Sequence, residues 1–143
     1  MIVYPAYIYI AQKIGPLPDF NLWDGSVVNV PYTLKNAEWD KSSATFVLKA
    51  KGYVEFTVNA VGYSKFKINA KTANYSGSSI NIEYYNSNGD LISTVTQSIK
   101  RTAAFYTIDI PEGARVSSAK IRINNTETTP MSSITIYGAT LQE

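Results

Sequence analysis

From Ala44 onward apolar and polar side chains alternate almost one for one, the period of a β-strand with one buried and one solvated face. Val54, Phe56, Val58 and Ala60 interleave with Tyr53, Glu55, Thr57 and Asn59. Phe66, Ile68 and Ala70 interleave with Lys65, Lys67, Asn69 and Lys71. The same rhythm runs through Ile80, Ile82 and Tyr84, then Tyr106, Ile108 and Ile110, then Ala119, Ile121 and Ile123, and last Ile134 and Ile136. Ser87-Asn88-Gly89-Asp90 predicts a hairpin turn, because Asn and Gly tolerate the positive φ that a tight turn between twisted strands needs. Pro111-Glu112-Gly113 predicts a second turn, and Gly138 a bulge that lets Ala139 or Leu141 turn inward. No window repeats apolar residues at helical spacing, so almost no helix is expected. The expected fold is all-β, a two-sheet antiparallel jelly-roll β-sandwich over residues 26–143.

The first 25 residues break this pattern. Residues 2–10 are rich in β-formers but contain Pro5, which confines any strand to an edge, and Ile14-Gly15-Pro16-Leu17-Pro18-Asp19-Phe20 has no period. Residues 1–25 therefore read as an extended N-terminal arm. Tyr4, Tyr7, Tyr9, Ile14, Leu17 and Phe20 are its candidate partner-docking side chains. The plainer reading is a leader segment that wraps its own sandwich.

Composition closes off chemistry. The 143 residues include no cysteine and no histidine, which removes thiolate nucleophiles, disulfides, imidazole bases and the usual zinc ligands. Paired carboxylates remain, but the acidic residues are scattered. Glu55 and Glu83 face outward on strands and Asp90 and Glu112 lie in turns, so no catalytic pair is apposed and no enzyme is expected. Asn86-Ser87-Asn88-Gly89-Asp90 offers oxygen ligands for a structural calcium, but a plain turn explains it better, so no cofactor or metal is expected. A net charge of +2 is too small to predict nucleic acid as a partner, and no apolar run is long enough for membrane insertion. The start, Met1-Ile2-Val3-Tyr4-Pro5, lacks the basic and apolar regions of a secretory signal, so the product is expected to stay in the cytoplasm or assemble there.

The segments 52–58, 65–71, 80–90, 105–111, 119–125 and 133–137 together resemble the galactose-binding-like jelly roll shared by many carbohydrate-binding modules. The resemblance is one of strand order and turn placement, so it implies fold more than function. Such modules usually sit inside secreted multidomain enzymes. A small jelly roll with no export signal is similar instead to accessory proteins of bacteriophage particles: head decorations, head fibres or tail appendages. The first expectation is therefore a non-catalytic structural protein of a virion, docking on other virion proteins through its arm in a homo-oligomeric or otherwise symmetric assembly. The alternative is a stand-alone carbohydrate-binding module that engages a cell-surface glycan. For either, Trp23, Trp39, Tyr32, Tyr63 and Tyr75 are the candidate ligand-binding rings, placed in expected loops. The competing reading is that each ring caps the open end of the sandwich. Lys65, Lys67, Lys71, Lys120 and Arg122 face outward and form a cationic stripe if their strands share a sheet.

Overall fold

The computed structural model describes residues 17–143. Its strands are β1 (Phe20–Asn21), β2 (Trp23–Asp24), β3 (Val27–Val28), β4 (Tyr32–Asp40), β5 (Thr45–Thr57), β6 (Lys65–Thr72), β7 (Ser78–Tyr85), β8 (Leu91–Ile99), β9 (Ala104–Asp109), β10 (Lys120–Asn125) and β11 (Ile134–Gln142). One short helix, α1 (Glu112–Ser117), separates β9 from β10. No helix among the described residues is long and apolar enough to cross a membrane.

Hydrogen bonding runs without a break in the order β8-β7-β10-β5-β11-β6-β9, with β4 on β5 and β1 on β11. All pairs are antiparallel. The fold becomes two layers because β5 changes partner midway. Phe46 to Leu48 pair with β11, whereas Tyr53 to Thr57 pair with β10. β4 follows β5 round this corner with a register shift between Lys35 and Ala37, and Asn36 and Lys51 take positive φ there, 48° and 56°. Gly52 fits because its backbone lies against Asn36: a Cβ at that position would stand 2.1 Å from the Asn36 carbonyl oxygen. Lys51 N–H donates to the Glu127 carbonyl at 2.9 Å, and Asn125 Nδ2 donates to the carbonyls of Leu48 (3.1 Å) and Ser132 (2.7 Å), which ties the corner to the neighbouring loop.

The inward half of the alternation forms the core. Phe46, Leu48, Val54, Phe56, Phe66, Ile68, Ile80, Ile82, Tyr84, Ile121, Ile123, Ile134, Ile136 and Leu141 are all fully buried. The expected all-β sandwich is the observed one. The hairpin after β7 is also present, with Gly89 at φ 86° and Asn86 Oδ1 accepting the N–H groups of Asn88 and Asp90 at 2.9 Å each. The predicted bulge appears as a register shift between Ile136 and Gly138, after which Ala139 and Leu141 point inward.

Two expectations need correction. Pro111-Glu112-Gly113 is not a turn but the entry to α1, where the Pro111 carbonyl accepts the N–H groups of Ala114 and Arg115 at 2.9 and 3.1 Å. Pro111 stands at the N-cap with extended backbone (φ −56°, ψ 146°), where its missing N–H costs no helical bond, and Glu112 complements the helix N-terminus, while six residues are too few to show a helical period. The arm, in turn, does not extend to residue 25. Phe20 pairs with Leu141 on the edge of β11 that β5 vacates, Leu22 is fully buried, and Trp23 is 5% exposed. Two-residue strands carry no period, which is why the sequence hides them. Leu17 N–H donates to Glu143 Oε1 at 2.8 Å, so it too lies along the sandwich. Tyr4, Tyr7, Tyr9 and Ile14 lie outside the described residues.

Candidate functional site

The layer built from β4, β5, β10, β7 and β8 turns its polar half outward, and register assembles that half into rows. Lys35, Tyr53, Asn124, Asn81 and Thr96 stand side by side in one. The next holds Thr33, Glu55, Arg122, Glu83 and Thr94, and a third holds Thr57, Lys120 and Tyr85. At about 4.8 Å between strands and about 6.8 Å between rows, the face extends roughly 19 Å across the sheet.

Arg122 is its centre. Nε and Nη2 both donate to Glu55 Oε2, at 3.0 and 2.7 Å. The guanidinium lies 4.1 Å from the ring centroid of Tyr53 and 5.2 Å from that of Tyr85, so two rings flank one cation. Burial lowers the guanidinium pKa, but the Glu55 hydrogen bond and the neighbouring Tyr85, Glu55 and Tyr53 outweigh it and raise the value above its ordinary one. Tyr85 O–H donates to Glu83 Oε1 at 2.9 Å. Burial first and this carboxylate second push the phenol upward, keeping it neutral. Asn124 Nδ2 donates to Glu83 Oε1 at 3.0 Å and to the Asn81 carbonyl at 3.1 Å, and Thr96 Oγ1 donates to Asn81 Oδ1 at 2.8 Å. Lys120 Nζ approaches Glu55 Oε1 at 3.9 Å.

Both carboxylates therefore act as acceptors in a braced network. The face offers rings, fixed amides, a guanidinium and an ammonium to whatever lies on it. That set suits recognition of a polyol: flat sugar faces stack on rings and hydroxyls bond to the polar groups. Among the described residues no group of histidine, cysteine and acidic side chains is placed to hold a metal ion.

Most of the rings singled out from the sequence lie elsewhere. Trp23, Trp39 and Tyr32 are on strands, not loops, and surround Phe46, with centroids 4.8, 4.6 and 5.2 Å from its ring. Trp23 Nε1 also donates to the Ala44 carbonyl at 2.9 Å. Tyr32 and Trp39 pair in register with Phe56 and Phe46, the inward phase of β5, so these three rings close the end of the core. Tyr63 is half-buried, and its hydroxyl donates to the Pro18 carbonyl at 3.3 Å. Tyr75 alone of the five is well exposed, at 83%. The expected cationic stripe is split, because Lys65, Lys67 and Lys71 lie on β6 in the other layer, where Lys65 pairs with Asp109 and Lys67 sits 4.8 Å above Phe105. Glu55 and Glu83, by contrast, are brought to either side of Arg122. Tyr53, Tyr85, Asn81 and Asn124 are the residues that sequence reasoning overlooked, although they belong to the outward phase of the same alternation.

No family model matches the sequence, and no curated protein matches it. Solved structures do. An aspartate-to-alanine variant of a family 29 carbohydrate-binding module, in complex with mannohexaose, matches with a TM-score of 0.71 at 10% identity over 90% of this chain and 93% of that one. A lysine-to-alanine variant in complex with cellulohexaose gives 0.68 at 10% identity, covering 87% and 90% of the two chains. A further family 29 module gives 0.65 at 11% identity, covering 87% and 88%. Nothing in these matches supports the virion expectation. At such identities the fold is what is shared, and the chain has the β-sandwich architecture of carbohydrate-binding modules.

Proposed function

We propose that the chain is a non-catalytic glycan-binding domain that lays a sugar chain across the outward face of β5, β10, β7 and β8. The observation that carries this reading is Arg122, held by Glu55 between the rings of Tyr53 and Tyr85 with Glu83, Asn81 and Asn124 beside it. A binding face needs polar groups fixed before the ligand arrives, since ordering them on contact costs affinity. Here each is already bonded to a neighbour. The mannohexaose and cellulohexaose complexes of similarly folded modules support the same class of ligand.

Isothermal titration of mannohexaose and cellulohexaose into the protein and its Arg122→Ala variant tests the reading. Loss of a charged hydrogen-bonding group is worth about 1.5–3 kcal/mol, a weakening of about ten- to a hundredfold. The wild type is expected to bind one of the two sugars and the variant to lose that affinity while keeping its circular dichroism spectrum. Equal affinity in the two proteins, or no heat from either sugar at millimolar concentration, would overturn it.

A further inference from the structure

A groove of about 510 Å³ lies beyond the end of the polar face. It opens between the 73–77 crossover, the last residues of β8 and the 100–103 crossover, and Tyr75, Gln97, Ser98, Lys100, Arg101 and Tyr106 are among its walls. Ser98 pairs with Ser79, one row beyond the Thr96–Asn81 pair, so the groove continues the face. From the row of Tyr85 to the row of Ser79 is six residues along β7, about 20 Å.

Three features give the groove a character of its own. The Arg101 guanidinium lies 4.4 Å from the ring centroid of Tyr75, and Tyr75 as a residue remains 83% exposed. Lys100 and Arg101 supply two adjacent cations, no carboxylate lines the walls, and neither cation forms a salt bridge among the described residues. The nearby Glu127 is engaged by Asn74 Nδ2 at 3.2 Å. The walls are also braced. Asn74 Oδ1 accepts the Ser76 N–H at 3.2 Å and its hydroxyl at 3.1 Å, and the Tyr106 hydroxyl accepts the Lys100 N–H at 2.8 Å, which leaves the phenolic proton free to donate.

We propose that this groove binds an anionic sugar unit, a pyranose bearing a carboxylate or a sulfate ester, which makes the domain a reader of acidic glycans. The inference rests on the glycan-binding reading of the neighbouring face. Arg101 provides the planar fork that matches an oxyanion, Lys100 adds charge, Tyr75 offers a ring to stack on, and Gln97, Ser98 and Tyr106 reach the hydroxyls. A groove with these cations and no acid of its own favours an anionic ligand over a neutral one, and walls fixed in advance spare the ordering cost.

The test uses affinity electrophoresis through gels containing polygalacturonate, dextran sulfate or neutral glucomannan. Wild type, Arg101→Ala, Tyr75→Ala, Arg122→Ala and, as a cation outside the groove, Lys41→Ala are compared, each checked for folding by circular dichroism. Retardation by one of the two acidic polymers is expected, with the responsive arm identifying carboxylate or sulfate. Arg101→Ala and Tyr75→Ala should each weaken it at least tenfold, leaving neutral binding unchanged. Retardation by neither acidic polymer, or equal retardation of the wild type and Arg101→Ala, would overturn the proposal. So would an equal loss in Lys41→Ala, because the attraction would then be unspecific charge. Loss of neutral binding in Arg122→Ala with no retention on acidic polymers leaves the sheet face standing and removes the groove. Retention on an acidic polymer that depends on Arg101 but not on Arg122 does the opposite.

Discussion

Replacing Gly52 with alanine tests whether the corner of β4 and β5 shapes both the sandwich and its polar face. The added Cβ would stand 2.1 Å from the Asn36 carbonyl oxygen and 2.9 Å from the Lys49 carbonyl oxygen, both backbone atoms that no rotamer change can move aside. Ordinary contact begins at about 3.5 Å, so the strands must part by more than about 1 Å. Overpacking of that kind costs about 1–3 kcal/mol. Losing the Lys51 N–H bond to Glu127 adds about 1 kcal/mol. A total of about 3 kcal/mol in a chain of this size lowers Tm by about 10 °C. Gly138 is the control, since its position on β11 has nothing within 4 Å of a Cβ and no positive φ. Gly138→Ala is expected to leave Tm unchanged or raise it slightly, through the smaller entropy of the unfolded chain. Because Tyr53 follows Gly52 directly, Gly52→Ala should also weaken sugar binding. Melting followed by circular dichroism decides the matter: a Gly52→Ala protein within about 2 °C of wild type, less than 1 kcal/mol, would refute the close approach.

Other perturbations give separate checks. Tyr84 is fully buried and its hydroxyl has no partner among the described residues, so Tyr84→Phe should stabilise the protein by about 1 kcal/mol in denaturant melts. Burial also raises the Tyr84 pKa, so in the wild type stability holds below the unfolded tyrosine value near 10 and falls as pH climbs from there towards the folded value. The Tyr84→Phe variant should lose less stability over that range, and identical alkaline profiles would contradict the assignment. The Asp40 carboxyl is held below the ordinary range mainly by side-chain hydrogen bonds from Ser42 and then Ser43. Its contribution is present above the unfolded value and fades as pH falls, and Ser42→Ala should move its NMR titration midpoint upward. Trp23→Ala should cost about 3–5 kcal/mol by emptying the aromatic cluster, with sugar affinity preserved at temperatures where the variant stays folded.

How much of this is legible in the sequence depends on range. The inward phase of the alternation names the core almost residue by residue, because burial on one face of a strand is a local pattern. The Asn88-Gly89 turn and the Gly138 bulge are local too. The site is not. Glu55, Glu83 and Arg122 are individually visible as outward residues, but what lines them up is the register of β5, β10 and β7, set by crossovers far apart in sequence. Choosing rings in expected loops, and among them those flanked by amides or carboxylates (Asn21 and Asp24 beside Trp23, Glu38 and Asp40 beside Trp39), favours two that the structure uses to close its core, and passes over Tyr53 and Tyr85, which stand within the patterned strands. The two-residue strands β1 and β2 and the six-residue α1 are too short to show any period.

Backbone amide chemical shifts, recorded while mannohexaose or cellulohexaose is titrated into nitrogen-15-labelled protein, report directly on where a sugar sits. Saturable changes grouped at Tyr53, Glu55, Glu83, Tyr85, Arg122 and Asn124, with the Trp23 and Trp39 side-chain signals unmoved, are the expected result. Changes centred on the Trp23–Trp39 end of the sandwich, or a spectrum unaltered at millimolar sugar, would contradict it.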